Sequence, residues 1–212
     1  ETHTVETHIY RIRKKIQLSE TNINVPKLIG GFIDGKSSYF LDEIIAGEIY
    51  NWNNVHAEQI LEIAIEQIWR FYKANGIKYK VLHNVDIDNF IDYYRLTKHS
   101  NTTELSENEL DNIKSFAGKK IPESIIHGDF SLGNIIVSKK GVFLIDWELS
   151  RHDLIICDLY KILSIKNSMF KTIDKYMQYE IDKHFPGDNL AVLTLQEQFL
   201  FEKLRRSTSD MN

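Results

Sequence analysis

The stretch IIHGDFSLGNIIVSKKGVFLIDWE, residues 125–148, sets His127, Asp129, Asn134, Asp146 and Glu148 between short runs of isoleucine, valine, leucine and phenylalanine. Apolar runs of this length, broken by glycine and polar turn residues, read as buried strands. One strand ends at His127 and leads into Gly128-Asp129. After the loop Phe-Ser-Leu-Gly a second strand begins with Asn134, and a Lys139-Lys140-Gly141 turn returns the chain to a third that delivers Asp146. Neighbouring strands lie about 5 Å apart. The pattern therefore gathers two carboxylates and one amide at the tips of buried strands.

Such a set suits a hard cation. Carboxylate and amide oxygens with water are magnesium ligands, and magnesium shares its remaining positions with phosphate. An acidic pair without thiols argues against zinc. With Asn134 and Asp146 on magnesium, Asp129 is left to take a proton from a hydroxyl nucleophile, the division of labour that phosphoryl transfer needs. Taken singly, Ser-Leu-Gly-Asn is ordinary turn chemistry and a lone H-G-D is more often structural. H-G-D-x4-N followed closely by I-D-W-E is a compound motif, and it favours the catalytic reading.

The rest of the chain frames this site. Of 212 residues 42% are apolar, enough for one substantial core or two small ones. A net charge of -4 with lysine and arginine spread throughout leaves no basic stripe for nucleic acid. Cys157 is the single cysteine, which excludes an internal disulfide and makes a reducing, cytoplasmic setting the expectation. No apolar run is long enough to span a membrane, and the first residues carry no signal-peptide core. The histidines include no HExxH pair, which argues against a histidine metal site.

Periodicity predicts the elements. Val5, Ile9, Ile12 and Ile16 mark an amphipathic helix over residues 1–19. Asp34-Gly35 between apolar runs predicts a hairpin. Ile60, Leu61, Ala64, Ile65, Ile68, Phe71 and Tyr72 predict a long buried helix over residues 57–74, stopped near Gly76. Ser106 and Glu109 form a capping box. Residues 155–184 and 190–206 are helical in period, split by Phe185-Pro186-Gly187. The class is α+β, with a domain boundary near Ala46-Gly47.

HGDFSLGN, followed by LIDWE and then CDLYKIL, resembles the carboxyl-terminal lobe of the aminoglycoside phosphotransferase and choline kinase family, protein-kinase-like enzymes that phosphorylate small molecules. The resemblance implies a two-lobe kinase-like fold, with residues 1–46 as an incomplete small β lobe and residues 47–212 as a mainly helical catalytic and acceptor-binding lobe. It implies ATP and Mg2+ as cofactors, ATP between the lobes, and a small-molecule hydroxyl as acceptor. By motif, Asp129 faces the acceptor, Asn134 and Asp146 bind magnesium, Asp158 braces the catalytic loop and His127 supports it structurally. The hinge falls at residues 42–47, with the backbone of Glu43, Ile44 and Ile45 toward adenine, and Glu6, with Glu1 as the alternative, is the helix glutamate that pairs with a phosphate-binding lysine, a role that competes with a solvated helix charge. Glu148, Arg151 and Asp153 fall in the acceptor region, where a salt-bridged surface turn competes with a binding role.

The family's upstream strands, glycine-bearing phosphate loop and lysine have no counterpart in these residues, so the expectation is a chain that is inactive alone. The acceptor is expected from the antibiotic, amino alcohol or sugar class. An alternative is a catalytically silent kinase-like binding or structural protein, of the kind seen in spore-coat proteins that resemble this family. A metal-dependent phosphohydrolase is a third reading, short of ligands. The sequence does not fix the oligomeric state.

Overall fold

The computed structural model describes residues 23–34, 37–97, 105–188 and 191–208. The predicted helix over residues 1–19, Glu6 within it, and Gly35 of the hairpin lie outside the described residues. The fold is α+β: β1 (Leu28–Asp34), β2 (Ser37–Asp42), β3 (Glu48–Ile49), α1 (Ala57–Asn75), β4 (Lys78–Val81), α2 (Asn84–Thr97), α3 (Glu107–Lys114), β5 (Lys120–Ile126), β6 (Ile135–Ser138), β7 (Gly141–Leu144), β8 (Arg151–Leu154), α4 (Ile156–Ile165), α5 (Met169–His184) and α6 (Leu195–Ser207). The described residues fall into two compact units, one within Glu1–Ile77 and Ser124–Asp153 and one within Lys78–Glu123 and Leu154–Asn212. Among the described residues no helix is long and apolar enough to cross a membrane.

In the first unit, β1 and β2 pair antiparallel from Leu28↔Asp42 to Asp34↔Ser37, with an irregularity between Leu28 and Gly30. β3, β6 and β7 form a second sheet in that order. β6 and β7 are an antiparallel hairpin, Ile135↔Leu144 through Ser138↔Gly141, turning at Lys139-Lys140 as their sequence predicts. β7 buries Val142, Phe143 and Leu144 in succession, and Ile135 and Leu144 are wholly enclosed. Helix α1 buries Ile60, Leu61, Ala64, Ile65, Ile68, Phe71 and Tyr72, the stripe its spacing predicts. It ends where Gly76, at φ +81, donates its N–H to Lys73 O, a backbone conformation that suits glycine.

The second unit is mainly helical. β4 pairs with β5 from Lys78↔Glu123 to Val81↔Lys120. Ile87, Ile91, Tyr94, Leu110, Ile113 and Phe116 are buried in its first half, and Leu159, Ile162, Ile173, Phe201 and Leu204 in its second. Ser106 accepts from Glu109 N–H while Glu109 reaches back to the Ser106 N–H, the predicted capping box. Thr194 and Glu197 form another at the start of α6. The helical stretch after residue 155 is two helices, because the chain turns at Lys166, Asn167 and Ser168 with Met169 N–H on Lys166 O.

Candidate functional site

The site residues of the first unit sit on the loops at the ends of β5, β6 and β7. β5 ends at Ile126, and Gly128 takes φ +90. A Cβ at this position would meet Leu149 O at 2.1 Å and the Leu149 carbonyl carbon at 2.5 Å, so only glycine lets the loop pass so close to that backbone. His127 is wholly buried. Its Nε2 donates to Ile145 O at 2.8 Å and its Nδ1 accepts from Asp129 N–H at 3.3 Å. That pair of bonds requires the neutral ring with its proton on Nε2. One imidazole thus ties the backbone before Asp146 to the backbone of Asp129. Trp147 packs on the ring at 4.3 Å between centroids, and Phe71 of α1 meets Trp147 in turn at 4.8 Å.

A single 3-10 turn, Leu132–Asn134, follows Asp129 and delivers Asn134. Asn134 Nδ2 donates to Asp129 O at 2.7 Å and to Asp129 Oδ2 at 2.9 Å. Both partners are acceptors only, which fixes the amide's orientation and spends its donors on Asp129. The Asn134 side-chain oxygen, Oδ1, is left for another partner. Ile145 N–H donates to Asn134 O at 3.0 Å, so the residue before Asp146 is pinned to the second site residue as well as to His127. Asp146 itself is exposed and stands at φ 60, the one non-glycine residue with positive φ among the described residues. Aspartate tolerates that region, but such a conformation persists only where its surroundings hold it.

The other candidates are more dispersed. Glu43, Ile44 and Ile45 lie in the irregular segment between β2 and β3. Glu43 N–H donates to Lys27 O at 2.8 Å, its carboxylate meets Lys140 Nζ at 3.3 Å, and chiefly the Lys140 bond holds that carboxyl below its ordinary value. Ile44 is 93% exposed, so the segment presents an apolar side chain beside its backbone. Glu148 is exposed; Arg151 and Asp153 pair at 3.1 Å, with Arg151 Nη1 also on Leu149 O. Asp158 belongs to the second unit, buried in the first turn of α4, where a carboxylate complements the helix dipole.

Among the described residues no group of three or more histidine, cysteine, aspartate or glutamate side chains gathers as a metal cage. An amide oxygen with one carboxylate, completed by water and phosphate, is the sparser set that magnesium accepts. Sequence reasoning passed over Gln67 and Gly128. Gln67 interrupts the apolar face of α1 three residues after Ala64 and four before Phe71, a polar residue at a buried position that signals a hydrogen-bonding task.

A family model described as "Phosphotransferase enzyme family" (APH) matches residues 16–175, well over half of the chain. No curated protein matches the chain. Among solved structures the chain is similar to an aminoglycoside phosphotransferase, APH(3'')-Id of Streptomyces rimosus in complex with ADP and streptomycin, at 14% identity over 95% of this chain and 82% of that one, with a TM-score of 0.48. It is similar to an aminoglycoside phosphotransferase of Alicyclobacillus acidocaldarius at 13% identity over 96% and 82% of the two chains, TM-score 0.48. A glucosamine kinase in complex with glucosamine, ADP and inorganic phosphate gives 11% identity over 97% and 60%, TM-score 0.46.

Proposed function

Because the chain belongs to the phosphotransferase enzyme family, we propose that it moves the γ-phosphate of ATP to a hydroxyl of a small molecule, with Asp129, Asn134 and Asp146 as its working groups. The observation that carries this reading is the Asn134 amide. Its donors are spent on Asp129 O and Oδ2, which points the opposite end of the amide, a hard oxygen, away from Asp129 and toward a cation. Asp146, held at positive φ between the His127 and Asn134 bonds to Ile145, supplies the second oxygen.

The donor set fits magnesium, which when bound neutralises charge on the phosphates and holds them in place. Asp129 orients the acceptor hydroxyl and takes its proton as the acceptor oxygen bonds to the γ-phosphorus and the bond to the β-phosphate oxygen breaks, releasing ADP. His127 stays neutral throughout. Its Nε2 donor and Nδ1 acceptor hold Ile145 and Asp129 in fixed relation. The segment around Glu43, Ile44 and Ile45 receives the adenine, the backbone supplying polar edges and Ile44 an apolar contact. Glu148, on the loop after Asp146, and Arg151 and Asp153 of β8 border the acceptor.

The test is transfer of labelled γ-phosphate by the full-length protein to a panel of aminoglycosides, amino sugars such as glucosamine, and amino alcohols. Asp129→Asn lowers transfer on the order of 10³-fold. A variant that keeps most of its transfer contradicts the assignment.

A further inference from the structure

β7 is the edge of the order β3-β6-β7, and the backbone groups on its open side need partners. Two come from outside any sheet. Leu144 N–H donates to Asn24 O at 2.9 Å, and Val142 O accepts from Gln67 Nε2 at 3.0 Å. Gln67 Oε1 in turn accepts from Asn24 N–H at 3.0 Å. Gln67, buried on α1 at 6% exposure, thus uses its primary amide as a neighbouring strand would use a peptide unit, one end on β7 and the other on the segment before β1. The Gly141 turn lies against the same segment, since a Cβ there would come within 3.0 Å of Asn24 Nδ2.

The circuit continues. From Asn24 the chain reaches Lys27, whose O accepts from Glu43 N–H at 2.8 Å. The Glu43 carboxylate returns to Lys140 of the β6–β7 turn at 3.3 Å. One closed set of bonds therefore joins the segment around Glu43 to β7, two residues short of Asp146.

We infer that Gln67 is a positioning residue for nucleotide binding: its amide sets the separation between the segment that takes the base and the oxygens that hold the metal-bound phosphates. This rests on the function proposed above. A glutamine that only stabilised β7 would change when the protein unfolds and nothing else. A positioning glutamine also changes how tightly the folded protein holds a ligand that bridges both ends of the circuit.

The experiment is isothermal titration of ADP with magnesium into the full-length protein, well below every melting temperature, for the unsubstituted protein, Gln67→Met, Gln67→Glu and Ile65→Val. Ile65 is buried on the same helix and serves as the destabilised control. Gln67→Met loses both bonds and weakens binding about tenfold or more. Gln67→Glu keeps the acceptor for Asn24 N–H and falls between, which sustains the comparison where Gln67→Met does not fold. Ile65→Val melts earlier yet binds like the unsubstituted protein. Equal affinity in all four overturns the inference and leaves the proposed function standing. No binding by the unsubstituted protein overturns the function, and the inference with it.

Discussion

Replacing Gly128 with alanine strikes the loop that carries Asp129 from two directions at once. The residue stands at φ +90, and an L side chain in that region costs about 1–2 kcal/mol. The added Cβ would also lie 2.1 Å from Leu149 O, 2.5 Å from its carbonyl carbon and 2.9 Å from its Cβ. Two of these atoms are backbone, so the chain has to part by about 1 Å to restore ordinary contact, an overpacking cost of about 1–3 kcal/mol. The Leu149 side is held by Ser150 Oγ on Ile126 O at 2.7 Å and by Ser150 N–H on Trp147 O at 3.1 Å. The Gly128 side is held by Asp129 N–H on His127 Nδ1 at 3.3 Å and by Asn134 Nδ2 on Asp129 O at 2.7 Å. Parting the two backbones displaces the chain at Gly128, and Asp129 is the next residue. Gly128→Ala is expected to lose about 2–5 kcal/mol of stability and about 10²-fold in phosphotransfer. Urea unfolding and labelled-phosphate transfer measure the two. Gly118→Ala, at φ +82 with open space around it, isolates the conformational cost alone, and Gly133→Ala, with nothing nearer than Ser131 Oγ at 3.8 Å, should be near neutral. A Gly128→Ala protein as stable and active as Gly133→Ala refutes the reasoning.

Other expectations follow from the same bonds. Glu197 of α6 meets Lys119 Nζ at 2.7 Å with the two side chains 21% and 30% exposed; burial alone would raise its carboxyl, but the bonds from Lys119 and Thr194 hold it below its ordinary value of 4.5. A depressed carboxyl contributes stability above its unfolded value and loses it as pH falls through the folded one. Glu197→Gln should therefore cost about 1 kcal/mol near neutral pH and converge with the unsubstituted protein in urea unfolding once the pH has fallen below the depressed folded value. Asp129→Asn, which abolishes most transfer, should leave magnesium-nucleotide affinity within a few-fold by titration, because the bond from Asn134 Nδ2 reaches the side-chain oxygen that asparagine keeps as well as Asp129 O.

Much of this architecture is legible in the residues. The stripe from Ile60 to Tyr72 is long enough for its period to declare a helix, and α1 forms over those residues. The Ser106 and Glu109 cap is a local hydrogen-bond exchange that four residues fully specify. The β6–β7 hairpin follows from its two apolar runs and the Lys139-Lys140-Gly141 turn between them. Strands β3, β4 and β8 escape notice because they are two to four residues long and mostly exposed or half-exposed; pairing with β6 and β5 creates them, and no short window of sequence contains that partner. The site divides in the same way. H-G-D-x4-N places Asp129 and Asn134 together through a loop short enough to read. That Asn134 turns its donors onto Asp129, that Gly128 grazes Leu149, and that Gln67 closes the edge of β7 from 75 residues away are tertiary facts, and each depends on where distant backbone comes to rest.

The central claim is a magnesium-nucleotide site built on Asn134 and Asp146. The most direct measurement is a thermal-shift titration of the full-length protein with ATP, with and without magnesium, beside the Asp146→Asn variant. The account predicts a magnesium-dependent rise in Tm that the variant loses, since a ligand that binds only the folded state stabilises it in proportion to its occupancy. No shift at millimolar nucleotide, or an equal shift in the variant, contradicts it.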